Sequence, residues 1–101
     1  MRLQPIRFKI EELDNQNEAL KILLLLRQHQ ELYNNQLIDL GVNDGTLKKA
    51  RIKLLNLKLI KMEERKEGRV ERIYCWLTEL GKEVADHINS IEQLLPEEEE
   101  E

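Results

Sequence analysis

The chain has 101 residues, 41% of them apolar, with four glycines, two prolines and one cysteine. That composition describes a single domain with a modest core, too poor in turn residues for an all-β sandwich and too aliphatic for wholesale disorder. The net charge of −4 hides an asymmetry, because residues 46–74 hold ten basic and four acidic side chains while residues 97–101 are all glutamate. A basic block of this kind attracts a polyanion, and nucleic acid is the usual one.

In chain order, residues 6–10 (Ile-Arg-Phe-Lys-Ile) alternate apolar and basic and suit a short strand or an extended arm. Asn15 with Glu18 three positions on predicts a capping box that opens a helix running to about Gln30. Leu20, Leu23 and Leu24 form one face of it, and Ile22, Leu25 and Leu26 spread round the far side. A helix apolar on most sides is covered on most sides, and in so small a domain the expected extra cover is a second copy of the chain. A shorter helix fits residues 34–40, with Gly41 in the place of a left-handed C-cap residue. Val42-Asn43-Asp44-Gly45 makes a tight connection, and Asn43 or Asp44 can cap a third helix starting near Gly45 or Thr46. Two short helices joined in this way carry the helix-turn-helix pattern.

On the third helix Leu47, Ala50, Leu54 and Leu57 cluster toward the core, while Lys48, Lys49, Ile52, Lys53 and Asn56 lie opposite. No acid occurs between Thr46 and Met62. An ordinary solvated helix intersperses glutamate with its lysines for mutual support, so this face reads as a polyanion contact. After Leu59-Ile60 the period changes to two, which predicts a β-hairpin. Ile60, Met62 and Glu64 share one parity, Lys66-Glu67-Gly68-Arg69 forms the turn with Gly68 at positive φ, and Val70 to Leu77 return. On the return strand Ile73, Cys75 and Leu77 share one face, and Val70, Arg72, Tyr74 and Trp76 the other. The outward Tyr74 and Trp76 are expected to be covered by another chain or by the N-terminal segment, the alternative being an exposed binding patch. Thr78 caps a last helix over 79–95 with an apolar stripe at Leu80, Val84, Ile88, Ile91 and Leu95, and Pro96 stops it.

The element order and several short motifs together resemble winged helix-turn-helix regulators of the MarR-like and PadR-like type. Leu37-Ile38-Asp39-Leu40-Gly41-Val42-Asn43 is similar to the second helix and turn of that pattern, and Thr46 stands where a threonine opens the recognition helix. Ala50, Leu54 and the Leu59-Ile60 pair fall at the matching spacings, and Leu77-Thr78-Glu79-Leu80-Gly81 looks like the Leu-Thr-x-x-Gly that ends the wing. Lys58 departs from the pattern, standing where many members carry glycine. The resemblance spans residues 18–95 and implies DNA binding as a homodimer.

The expected fold is therefore mainly α with a small β-hairpin (α+β), a winged helix-turn-helix with an extra C-terminal dimerisation helix. Residues 1–96 make the domain with its N-terminal arm, and residues 97–101 a disordered acidic tail. The expected contacts to double-stranded DNA are Thr46, Lys48, Lys49, Ile52, Lys53 and Asn56 from the third helix and Arg65, Lys66 and Arg69 from the hairpin tip. The expected homodimer interface is Ile22, Leu25, Leu26, Leu80, Val84, Ile88, Ile91 and Leu95. His29 and His87 lack clustered ligand partners, so neither a metal site nor any cofactor is expected. Cys75 reads as a buried structural thiol, and no catalytic constellation is recognisable. The lone cysteine and the lack of a leader or of an 18-residue apolar stretch point to the cytoplasm, with no membrane partner. The expected function is a transcriptional regulator of modest sequence specificity. Its rivals are a DNA-coating or segregation adaptor and a winged-helix protein–protein module.

Overall fold

The computed structural model describes residues 3–6 and 18–97. In chain order it comprises helix α1 (Ala19–Gln28), a two-residue strand β1 (Leu32–Tyr33), helices α2 (Asn34–Asp39) and α3 (Asp44–Asn56), strands β2 (Ile60–Glu67) and β3 (Val70–Leu77), and helix α4 (Glu79–Leu94). The strands form one antiparallel sheet in the order β1-β3-β2. This is the expected α+β order with one addition, β1, whose two residues are too short to leave a periodic trace. The Asn15 cap, residues 7–10 of the arm and residues 98–101 of the tail lie outside the described residues.

Helix α1 occupies the centre. Lys21 to Leu26 are all buried, Ile22 and Leu25 completely. Helices α3 and α4 and strand β3 pack against it, and Leu3 and Ile6 add to the same cluster. The all-round apolar surface is therefore covered from within the chain. Ile22, Leu25 and Leu26, expected at a dimer interface, belong instead to the protomer core, because a helix wrapped on every side has no solvent face left to offer.

Helices α2 and α3 end in the same way. The Val42 N–H donates to Leu37 O and Gly41 N–H to Ile38 O; Leu59 N–H donates to Leu54 O and Lys58 N–H to Leu55 O. Both patterns are Schellman motifs with a left-handed residue after the cap. Gly41 fills that place at φ 109°, and a Cβ there would lie 2.8 Å from Lys21 Nζ. At the end of α3 the place falls to Lys58, at φ 62°. A side chain in this conformation costs about 1 kcal/mol relative to glycine. Leu57, expected in the core, is 56% exposed; it keeps helical geometry as the C-cap, and at 100° per residue it stands about 80° from Leu47, at the rim of the buried face.

The Leu77–Gly81 motif has a physical cause. Thr78 Oγ1 accepts the Gly81 N–H at 2.9 Å and donates to Lys58 O at 2.7 Å. Its backbone N–H reaches Leu59 O at 3.0 Å. The first turn of α4 thus presses on the α3–β2 junction so closely that a Cβ on Gly81 would stand 1.9 Å from Leu59 O. Only glycine fits there.

Helix α4 is rotated from the orientation its stripe suggests. Its core side runs through Gly81, Ala85, Ile88 and Glu92. Ile88, expected at the interface, is 8% exposed and sits largely in the protomer core, while Leu80, Ile91 and Leu94 remain exposed and Val84 and Leu95 half-buried. The apolar arc is wider than the core can take, and its outer half is left uncovered.

Candidate nucleic-acid interface

The connection after α2 delivers α3 with its start already capped. Asn43 Oδ1 accepts the Gly45 N–H at 2.7 Å, and Asp44 in the first turn complements the positive end of the helix dipole. Thr46 is half-buried, and its hydroxyl donates to Asn43 O at 3.2 Å. Leu47, Ala50 and Leu54 are buried against the core. Lys48, Lys49, Ile52, Lys53 and Asn56 are all exposed, as the helical period requires once those three residues face inward. Among the described residues none of Lys48, Lys49 and Lys53 has an acidic partner.

Arg51 is the residue that reasoning from the sequence passed over. It is 8% exposed and donates from Nη1 to Asn34 Oδ1 at the start of α2. Its Nε is buried without a hydrogen-bond partner. Its guanidinium lies beside Cys75: burial pushes that thiol above its ordinary pKa, and the Arg51 charge pulls the other way. Arg51 therefore ties α3 to α2 and to the sheet. Its position was legible, since at 100° per residue it stands about 40° from Leu47, on the core side.

The hairpin divides into a tip and a base. At the tip Gly68 takes φ 64°, and Lys66 and Arg69 are exposed, again with no acidic partner among the described residues. Arg65 does not join them. The register pairs Arg65 with Arg72, Glu63 with Tyr74 and Lys61 with Trp76, which places Arg65 on the outward face beside the aromatics. Its guanidinium stands 4.2 Å from the Tyr74 ring centroid and 5.7 Å from that of Trp76. Its charge is met by Glu31 at 2.7 Å and Glu63 at 3.4 Å. Arg65 was expected among the DNA contacts at the tip; the structure places it instead on the outward face of the hairpin, 33% exposed, where stacking and two carboxylate partners compete for its charge.

The cover over Tyr74 and Trp76 is thus Arg65 and the edge strand, where Tyr33 meets Tyr74 edge-on at 5.3 Å. Arg72 completes the face, 4.8 Å from the Tyr33 ring and 2.6 Å from Glu67. The Tyr74 hydroxyl donates to Glu67 at 2.5 Å. That bond, helped by Arg72, holds the Glu67 carboxyl below its ordinary pKa; the same bond pushes the tyrosine above its own, with the Arg72 charge pulling the other way.

A cleft of about 680 Å³ lies between the end of α1, the start of α4 and the outer face of the sheet, lined in part by His29, Glu31, Arg65 and Trp76. Its charges are largely matched within it, Arg27 with Asp86 at 2.9 Å and Arg65 with Glu31. His87 is exposed. Among the described residues no group of three or more His, Cys, Asp or Glu could hold a metal ion, and no helix is long and apolar enough to cross a membrane.

No protein-family model matches the chain, and no curated protein does. Solved structures do. The circadian clock associated protein Pex from Anabaena superposes with a TM-score of 0.64 at 24% identity, over 78% of this chain and 77% of Pex. The adhesin competence repressor AdcR from Streptococcus pyogenes gives 0.65 at 24% identity, over 84% of this chain and 66% of AdcR. A MarR-family protein from Porphyromonas gingivalis W83 gives 0.63 at 17% identity, over 90% of this chain and 95% of its own. At these identities the likeness concerns architecture, and it agrees with the element order, the capped turn and the hairpin: the chain shares the winged helix-turn-helix fold of these structures.

Proposed function

We propose that this protein is a non-catalytic transcriptional regulator that binds double-stranded DNA as a homodimer. The observation that carries the reading is the outer face of α3, where Lys48, Lys49 and Lys53 are exposed with no acidic partner among the described residues. Three unneutralised cations on one helix face are unfavourable to one another and favourable to phosphates. The helix enters the major groove and presents Ile52 and Asn56 to base edges and its lysines to the backbone, with Thr46 at its start. Lys66 and Arg69 reach the flanking backbone from the hairpin tip. The homodimer uses the exposed side of α4 at Leu80, Ile91 and Leu94, the last 82% exposed, with the half-buried Val84 and Leu95 at its edge. Two-fold symmetry then sets the recognition helices about 34 Å apart, one turn of DNA.

Binding to random-sequence duplex across a salt series tests the reading. The expected result is a log–log salt slope of several units. Sedimentation at tens of micromolar is expected to give twice the 12.0 kDa chain mass. No binding at low salt would replace DNA with an acidic protein partner, and steeply length-dependent, cooperative binding would favour coating over site recognition.

A further inference from the structure

The recognition face lacks the side chain best suited to reading guanine. Helix α3 contains one arginine, and it is the buried Arg51, turned toward Asn34 and Cys75. The guanidinium fork is the group that matches guanine O6 and N7 in two parallel hydrogen bonds; a lysine ammonium is a compact point charge on a flexible stem, better suited to phosphates. At 100° per residue Ile52 and Asn56 each stand about 160° round from Leu54, at the middle of the outward face, with Lys48 on one side and Lys49 and Lys53 on the other. Ile52 is 48% exposed. A branched aliphatic side chain half in water amid lysines has one natural counterpart in the major groove, the C5-methyl of thymine. Asn56, one turn on, carries the amide that pairs with adenine N6 and N7.

We infer that the α3 face selects A·T-rich half-sites, with Ile52 seated on a thymine methyl and Asn56 reading adenine. This rests on the DNA-binding reading above and deepens it. The wing suits the same sequences: Arg69 at the exposed tip matches the narrow, strongly negative minor groove of A·T tracts.

The test starts with selection by the full-length protein from a random duplex library, followed by affinity measurements on an enriched duplex and on the same duplex with deoxyuridine in place of thymine, which deletes only the methyl groups. Enrichment of A·T pairs is expected, with affinity falling about fourfold for each methyl that the protein touches, the worth of one buried methyl group. Ile52→Ala is expected to weaken binding to the thymine duplex by a similar factor and to show no further weakening on the deoxyuridine duplex, with unchanged melting because the side chain is half-exposed. G·C-rich or unbiased selection overturns the inference while leaving DNA binding intact. So does an Ile52→Ala protein that still distinguishes thymine from deoxyuridine as the wild type does. Failure of the wild type to bind any duplex at low salt removes the DNA-binding reading itself.

Discussion

The outer face of α3 and the outer face of the hairpin come from one basic stretch of sequence and put their cations to opposite uses. On α3, Lys48, Lys49 and Lys53 stand exposed and in no ion pair among the described residues. On the hairpin, Arg65 and Arg72 stack on Tyr74, Trp76 and Tyr33 and are met by Glu31, Glu63 and Glu67. A charge already paired and stacked has little left for a phosphate, whereas an unpaired lysine row has its whole charge to offer. Counting positive residues therefore overstates the surface open to a polyanion. Arg65 and Arg72 are held within the wing, while Lys66 and Arg69 at its tip and Lys61 near its base are exposed with no acidic partner among the described residues.

The comparison breaks first at the lysines. Replacing Lys48, Lys49 and Lys53 together by alanine is expected to lower DNA affinity by orders of magnitude. The salt slope should flatten by about 0.9 for each phosphate that the variant no longer neutralises, taken over both protomers. Melting should stay unchanged, since all three side chains are exposed. A salt titration with parallel thermal melts measures both, and an unaltered slope would remove α3 from the interface.

Arg65→Ala should do the reverse. It removes two cation–π contacts and two carboxylate partnerships, so the melting temperature should fall while the salt slope stays. Trp76 is the single tryptophan, and its fluorescence should become easier to quench once its cover is gone. A flattened slope without a melting change would return Arg65 to the DNA surface.

The joint between the two faces offers a smaller effect. Lys58→Gly relieves the left-handed strain at φ 62° and should stabilise the fold by about 0.5–1 kcal/mol, after the added flexibility of the unfolded chain is deducted. That corresponds to a rise of roughly 2–8 °C in a domain of this size. Equal or lower melting would mean that the lysine side chain makes a compensating contact.

The smallest expected effect is a pH dependence confined to the hairpin. The Tyr74 hydroxyl and Arg72 hold the Glu67 carboxyl low. Its contribution is therefore fully present above the ordinary carboxylate value of 4.5 and lost as pH falls through the depressed one. Tyr74 is raised by the same bond, so its contribution is present below its ordinary value of 10.0 and fades as pH rises above it. Tyr74→Phe should melt lower than wild type between those limits, and the gap should close toward both. Glu64, raised by a hydrogen bond that its protonated carboxyl shares with Glu71 and then by that neighbour's like charge, works against the first trend, because acid supplies the proton the pair needs. A gap that persists unchanged into acid would show that the Tyr74–Glu67 bond does not contribute.

Periodicity and capping chemistry make much of this molecule legible in its sequence. The Asn43 cap, the left-handed Gly41, the hairpin parity about Gly68 and the Thr78 cap are local matters, settled by residues within a few positions of one another. The buried and exposed sides of α3 follow from the same arithmetic, and Arg51 could have been added from it. What local pattern could not decide was which apolar or charged surface meets which partner inside the fold. Ile22, Leu25 and Leu26 read as a surplus because their cover comes from α4 and β3, far along the chain. Arg65 read as a free cation because Tyr74 and Trp76 come beside it through the hairpin register and Glu31 reaches it once a two-residue edge strand has joined the sheet. Hydrophobic burial and ion pairing depend on distance in space rather than on separation along the chain. Short-range chemistry therefore sets where the helices and strands start, stop and turn, and tertiary packing alone settles which of their surfaces are left for a partner.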